Sequence, residues 1–190
     1  MDRDRIIIVS GLPRSGTSMM MKMLVAGGLE ALTDDIRTAD EDNPKGYFEL
    51  EKVKELEKDR SWLGGAGGKV VKIISALLKH LPPDHSYKVI FMRRNMQEVL
   101  ASQRQMLIRR GEPTDKISDE KMAELFRKHL VDVEAWLARQ PNVETLYVDY
   151  NAMLAGPAPL IESVRSFLGE QLDAGAMAAT IDGALYRQRR

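Results

Sequence analysis

The sequence predicts an α/β fold, a parallel sheet with helices on both faces, and two observations carry that expectation. Short apolar runs alternate with longer segments of helical period along most of the 190 residues, which is the pattern of strands joined by crossover helices. The first run, Ile6-Ile7-Ile8, leads through Val9-Ser10 into Gly11-Leu12-Pro13-Arg14-Ser15-Gly16-Thr17-Ser18, a tight glycine-containing turn that opens a helix. The length suits one domain spanning residues 1–190, with enough chain for a sizeable core.

Strand one is expected over Arg5–Ser10 and its helix from Ser15 to Ala26, ended by Gly27-Gly28. Met19, Met20, Met21 and Met23 on that helix read as gap-filling core residues. In the polar stretch that follows, Asn43-Pro44-Lys45-Gly46 has the signature of a type I turn. Tyr47-Phe48-Glu49-Leu50 leads into a charged segment, Glu51–Asp59, expected as helix. Gly64–Gly68 precedes a strand rather than following one, so it reads as a flexible connector and not as a second phosphate loop. Strand two is expected at Lys69–Ile74 and strand three at Tyr87–Met92.

Arg93-Arg94 precede a helix expected from Asn95 to Arg110, with Asn95 as cap and Glu98 placed as in a capping box. Gly111–Asp115 reads as a polar gate loop. A helix over Ser118–Arg139 shows apolar residues at 122, 125, 126, 130, 133, 136 and 137 and stops before Pro141. Strand four, Val143–Val148, is followed by a helical region interrupted at Gly169 and Asp173–Gly175.

Composition narrows the function. Lys and Arg (28) balance Asp and Glu (28), so no global field draws nucleic acid or an anionic membrane. The chain has no cysteine, which excludes disulfides, thiolate metal sites and a cysteine nucleophile. The start is charged and its apolar stretch is too short for a signal peptide or membrane span, so a cytoplasmic protein is expected.

The turn after strand one carries the chemistry. Its backbone N–H groups converge on one point, and the helix dipole adds partial positive charge there. Gly11 and Gly16 have the spacing of a phosphate-binding loop, yet Thr17 stands where an NTPase carries lysine, and Arg14 supplies the cation instead. Ligands of such sheets sit at the carboxyl ends of the strands, where this loop, Arg94 and Tyr150 collect.

Four segments in this order resemble the sulfotransferase family, enzymes that use 3′-phosphoadenosine-5′-phosphosulfate (PAPS). Gly11–Ser18 is similar to the loop that grips the 5′-phosphosulfate, which implies binding by Gly11, Pro13, Arg14, Ser15, Gly16, Thr17 and Ser18. Arg94 and Ser102 resemble the pair that binds the 3′-phosphate, and Val148–Pro157 resembles the segment whose tyrosine, here Tyr150, lies by the adenine. Asn43–Glu49 is similar to an acidic turn of small bacterial members. The resemblance implies a P-loop NTPase-like parallel sheet of sulfotransferase type. It also implies transfer of a sulfuryl group to the hydroxyl of a small-molecule or saccharide acceptor, leaving 3′-phosphoadenosine-5′-phosphate (PAP).

A sulfuryl group carries less charge than a γ-phosphoryl group, so no metal is expected, and Arg14 suits the charge that builds on the bridging oxygen. Many cytosolic members carry Lys-x-His after the second strand; here the run is Lys72-Ile73-Ile74, and the histidine is replaced. Glu49 is the first choice for the base, ahead of Asp35, Asp40, Glu41 and Asp42, because two aromatics precede it. His80 and His85 read as loop residues and His129 as a satisfied helix residue. Arg93 is a weaker phosphate candidate, since Ala101 lies eight residues on, and Lys72 and the terminal Tyr186–Arg190 are further candidates. Two other classes stay open: a phosphotransferase or nucleotide kinase, which Thr17 disfavours, and a non-catalytic nucleotide-binding protein, which the short length fits.

Overall fold

The structure is a computed structural model that describes residues 4–34, 48–114, 116–169 and 171–181. Its strands are β1 (Ile6–Gly11), β2 (Val70–Lys72), β3 (Tyr87–Arg93) and β4 (Val143–Asp149). They form one sheet in the order β2-β1-β3-β4, and every neighbouring pair is parallel. The helices are α1 (Thr17–Ala26), α2 (Met96–Arg109), α3 (Asp119–Leu137), α4 (Tyr150–Ala155), α5 (Pro157–Leu168) and α6 (Ala174–Ala179). No helix among the described residues is long and apolar enough to cross a membrane.

Topology decides which helix covers which face. From β1 the chain moves through α1 to β2 on one side; from β3 it moves through α2 and α3 to β4 on the other. Right-handed crossovers in opposite directions place α1 and α3 on opposite faces. The core accordingly has two halves. Ile7, Val9, Ile90 and Met92 face α1 and α5, while Ile6, Ile8, Val89 and Phe91 face α3 and the segments before β2. Every residue of β1 is buried, because a central parallel strand has no solvent side. The strand order reverses between β1 and β3, and the crevice at their carboxyl ends is where such sheets take ligands.

Element boundaries follow the expectations to within a few residues, with instructive departures. Met20, Met21 and Met23 are core residues of α1. The helix expected over Glu51–Asp59 shrinks to a 3₁₀ turn at Glu51–Glu55. Only Val53 and Leu56 are buried there, and their three-residue spacing matches the tighter helix. The connector before β2 is not a loose glycine run: Ser61–Gly65 forms a second 3₁₀ turn, anchored by buried Trp62 and Leu63. The helical region breaks between Leu168 and Ala174, and Asp173 closes the break: its side chain accepts from the Ala176 N–H and starts α6, so that Ala174 and Gly175 are helical. β2 ends at Lys72, although the Ile73 N–H still donates to the Val9 carbonyl at 3.0 Å.

A third 3₁₀ turn, Ser75–His80, packs against α3. The two are joined by His129 of α3, whose Nε2 lies 2.8 Å from buried Ser75 Oγ. Burial holds the His129 pKa below its ordinary 6.5; Lys79 pushes the same way and Asp132 opposes. The unfolded chain therefore takes up a proton at higher pH than the folded one. This contribution to stability is complete above pH 6.5 and is lost as pH falls through the lower folded value. Urea unfolding is expected to show stability falling as pH is lowered from about 7.5 to about 5, with a shallower fall in His129→Gln. An identical pH dependence in the two proteins would contradict the assignment.

Candidate functional site

The turn between β1 and α1 is held by close contacts that admit no side chain at either glycine. A Cβ on Gly11 would stand 2.5 Å from Ser15 Oγ and 2.7 Å from the Met92 carbonyl oxygen. A Cβ on Gly16 would stand 2.3 Å from Tyr150 Cδ2, and Gly16 has φ +99°. Arg14 also lies in the left-handed region at φ +69°, which is uncommon for a residue with a side chain. The Ser15 N–H donates to the Leu12 carbonyl at 3.2 Å and closes the turn.

Two features of this turn suit an anion. Ser15 is 1% exposed, and its hydroxyl has no hydrogen-bond partner among the described residues. The N-cap of α1 is Gly16, without a capping side chain, and no acidic residue lies in the first turn. The first-turn N–H groups and the helix dipole thus face the loop without an internal counter-charge. Thr17 and Ser18 form that first turn, half-buried, while Pro13 is exposed.

Arg14 and Ser102 come together directly: Arg14 Nε donates to Ser102 Oγ at 2.8 Å. Arg94 takes another direction. Its Nε donates to Glu98 Oε2 at 2.9 Å, and its Nη1 donates to the Arg14 carbonyl at 3.0 Å. The guanidinium carbon lies 4.4 Å from the centroid of the Tyr150 ring, a cation–π distance. Tyr150 is 7% exposed, wedged between Arg94 and Gly16.

Glu98 is where sequence reasoning missed a role. The capping-box expectation fails, since neither carboxylate oxygen bonds the Asn95 N–H. Oε2 accepts from Arg94 and Oε1 accepts from Asn151 Nδ2 at 2.9 Å, while the Asn95 N–H turns to Asn151 Oδ1. The four-residue spacing of Arg94 and Glu98 is the signal that would have found the pair. Asn95 does cap α2, accepting from the Gln97 N–H at 2.9 Å. Arg93 leaves the site altogether, bridging to Glu134 at 2.8 Å and lying over the Tyr147 ring.

Beyond the end of β2, Lys72 Nζ lies 3.2 Å from Glu49 Oε1. The Lys72 side chain is 8% exposed, so it is not a strand-end lysine in solvent. The Glu49 backbone carbonyl accepts from Thr33 Oγ1 at 2.8 Å, which fixes the segment beside α1's exit. Ile74, at the position of the replaced histidine, is exposed. His85 bonds Asp84 and stacks on Tyr87, away from the loop. Asp35, Asp40, Glu41, Asp42, the turn at 43–46 and Tyr186–Arg190 lie outside the described residues.

A family model described as sulfotransferase domain matches residues 3–188 of the chain. A search of curated proteins finds no match. Among solved structures, a sulfotransferase from Mycobacterium tuberculosis H37Rv superposes with a TM-score of 0.59 at 18% identity, over 96% of this chain and 73% of that one. The sulfotransferase domain from the curacin biosynthetic pathway gives 0.54 at 14% identity, over 94% and 78%. Retinol dehydratase in complex with androsterone and inactive cofactor PAP gives 0.50 at 15% identity, over 92% and 62%. At these identities the likeness is one of fold.

The contacts of Gly16 generate a direct test. Gly16→Ala strains the backbone by about 1–3 kcal/mol at its positive φ, and its methyl group overlaps the Tyr150 ring. The urea midpoint is expected to drop accordingly. An unchanged midpoint would show that the turn has more room than these contacts allow.

Proposed function

The chain belongs to the sulfotransferase domain family, and on that premise we propose that it moves a sulfuryl group from PAPS to the hydroxyl of a small-molecule or saccharide acceptor. The observation that carries this reading is the unpartnered, buried Ser15 hydroxyl. It lies in a turn where two glycines leave no room for a Cβ, and the Arg14 guanidinium stands at the same turn. An orphaned hydroxyl and open helix amides are what a phosphate oxygen satisfies, so the residues present fit the nucleotide.

PAPS supplies a sulfuryl group already activated on a phosphate. The loop amides with Ser15, Thr17 and Ser18 bind the phosphosulfate end. Arg14 provides fixed positive charge for the bridging oxygen, where charge develops as the oxygen–sulfur bond breaks. Arginine stays protonated at any working pH, so Arg14 polarises and does not donate a proton. Ser102 and Arg94 belong to the 3′-phosphate side, and Tyr150 lies beneath Arg94. Glu49 removes the acceptor's proton at its carboxylate oxygen, and the Lys72 ammonium lies beside that carboxylate and holds it in place.

Nucleotide choice tests the donor. PAP, the bisphosphate found in the retinol dehydratase crystal, is the natural probe. Charge-assisted bonds to phosphate contribute about 1.5–3 kcal/mol each, so PAP is expected to bind at least about tenfold more tightly than AMP or ATP in calorimetry. Equal affinity for PAP and AMP would remove the 3′-phosphate assignment, and a preference for ATP would favour a phosphotransferase.

Turnover tests the base. Glu49→Gln keeps the shape of the side chain and removes its basicity. The variant is expected to bind PAP as the parent does while kcat falls about 10²–10⁴-fold. Near-normal kcat in this variant would pass the role to Asp35, Asp40, Glu41 or Asp42.

A further inference from the structure

We propose that Glu98 is a positioning residue for the anion loop: acting through Arg94, it holds the left-handed backbone from which the Arg14 side chain reaches Ser102. The proposal rests on the nucleotide reading of the loop and adds a residue which that reading did not use.

A buried carboxylate beside an anion site is unfavourable on two counts. Glu98 is 2% exposed, so its charge has left water, and it would repel an incoming phosphate. What it does there is visible in its bonds. Asn151, in the first turn of α4, fixes one oxygen, and Arg94 Nε meets the other. The Tyr150 ring supports the guanidinium from beneath, leaving Arg94 Nη1 to donate to the Arg14 carbonyl. The Arg94 side chain is itself only 8% exposed.

These contacts close a circuit. It leaves α2 at Glu98, passes through Arg94 to the Arg14 carbonyl, runs out along the Arg14 side chain and returns to α2 at Ser102. Glu98 and Ser102 are four residues apart and so stand on one face of the helix. A lysine at 94 would carry the charge but lacks the planar fork that meets carboxylate and carbonyl at fixed angles. The Arg94–Glu98 pair sums to zero charge, so its contribution to the loop is geometric.

Geometry and electrostatics predict opposite signs, which makes the test decisive. Removing the Glu98 charge would by electrostatics alone tighten anion binding. Positioning predicts that Glu98→Gln weakens AMP, which has only the loop's phosphate, by on the order of tenfold, and PAP by at least as much, because Arg94 also serves the 3′-phosphate. The same substitution in an Arg94→Ala background is expected to change affinity less than about twofold, since the effect runs through Arg94. Hydrogen exchange of the ligand-free protein is expected to accelerate about tenfold in Glu98→Gln at the amides of residues 14–18, and not in α5. If Glu98→Gln loses its cooperative thermal transition, Asn151→Ala, which removes one bond to the carboxylate and one to the Asn95 N–H, is expected to give the same changes at about threefold. Unchanged or tighter nucleotide binding with unchanged loop exchange would overturn the proposal. A parent protein that binds neither nucleotide would overturn the nucleotide reading instead, and loop exchange would still decide the role of Glu98.

Discussion

The turn from β1 into α1 has to pass between the end of β3 and the first turn of α4, and the space left at Gly16 is that of a hydrogen atom. Much else in the site follows. Because the turn is squeezed there, Tyr150 lies against it, and the guanidinium of Arg94 lies over Tyr150. From that position Arg94 meets the Arg14 carbonyl, and Arg14 is aimed at α2. Three strand ends are thereby brought to one crevice, at the place where the strand order reverses. The site is a property of the sheet's topology as much as of the loop's own residues.

The parts legible in the sequence are those governed by near neighbours in the chain. The run Ile6-Ile7-Ile8 followed by glycines five apart specifies a buried strand and a tight turn into a helix without help from elsewhere. The long period of α3 and the cap at Asn95 are equally local. Asn151 could not be read this way. Its bond to Glu98 depends on β4 lying beside β3, a fact of tertiary structure. Glu98 itself was open to two local readings. A capping box and an Arg–Glu pair one turn apart compete for the same carboxylate, and the buried guanidinium wins because it needs a counter-charge.

Lys72 shows the same limit from another side. A lysine at a strand end is ordinarily solvated, whereas here the chain returns at Glu49 and pairs with a Lys72 side chain that is mostly buried. The region before β2 departs from expectation for a related reason. Its glycines suggested a flexible connector, but Trp62 and Leu63 find a hydrophobic surface on the sheet, and their burial orders the turn. Polar and glycine-rich composition describes what a segment can do alone; contact with the sheet decides what it does.

The circuit through Arg94 and Arg14 has a thermodynamic consequence. A loop tied to its neighbouring helix at both the backbone and the side chain has already surrendered the conformational freedom that binding would otherwise remove. Less of the attraction to a ligand is then spent on ordering the protein, and encounter need not wait for a rare conformation. Selectivity of such a rigid cradle comes from mismatch: a ligand that leaves the Ser15 hydroxyl unsatisfied gains little by adjusting, because the cradle has nowhere to move.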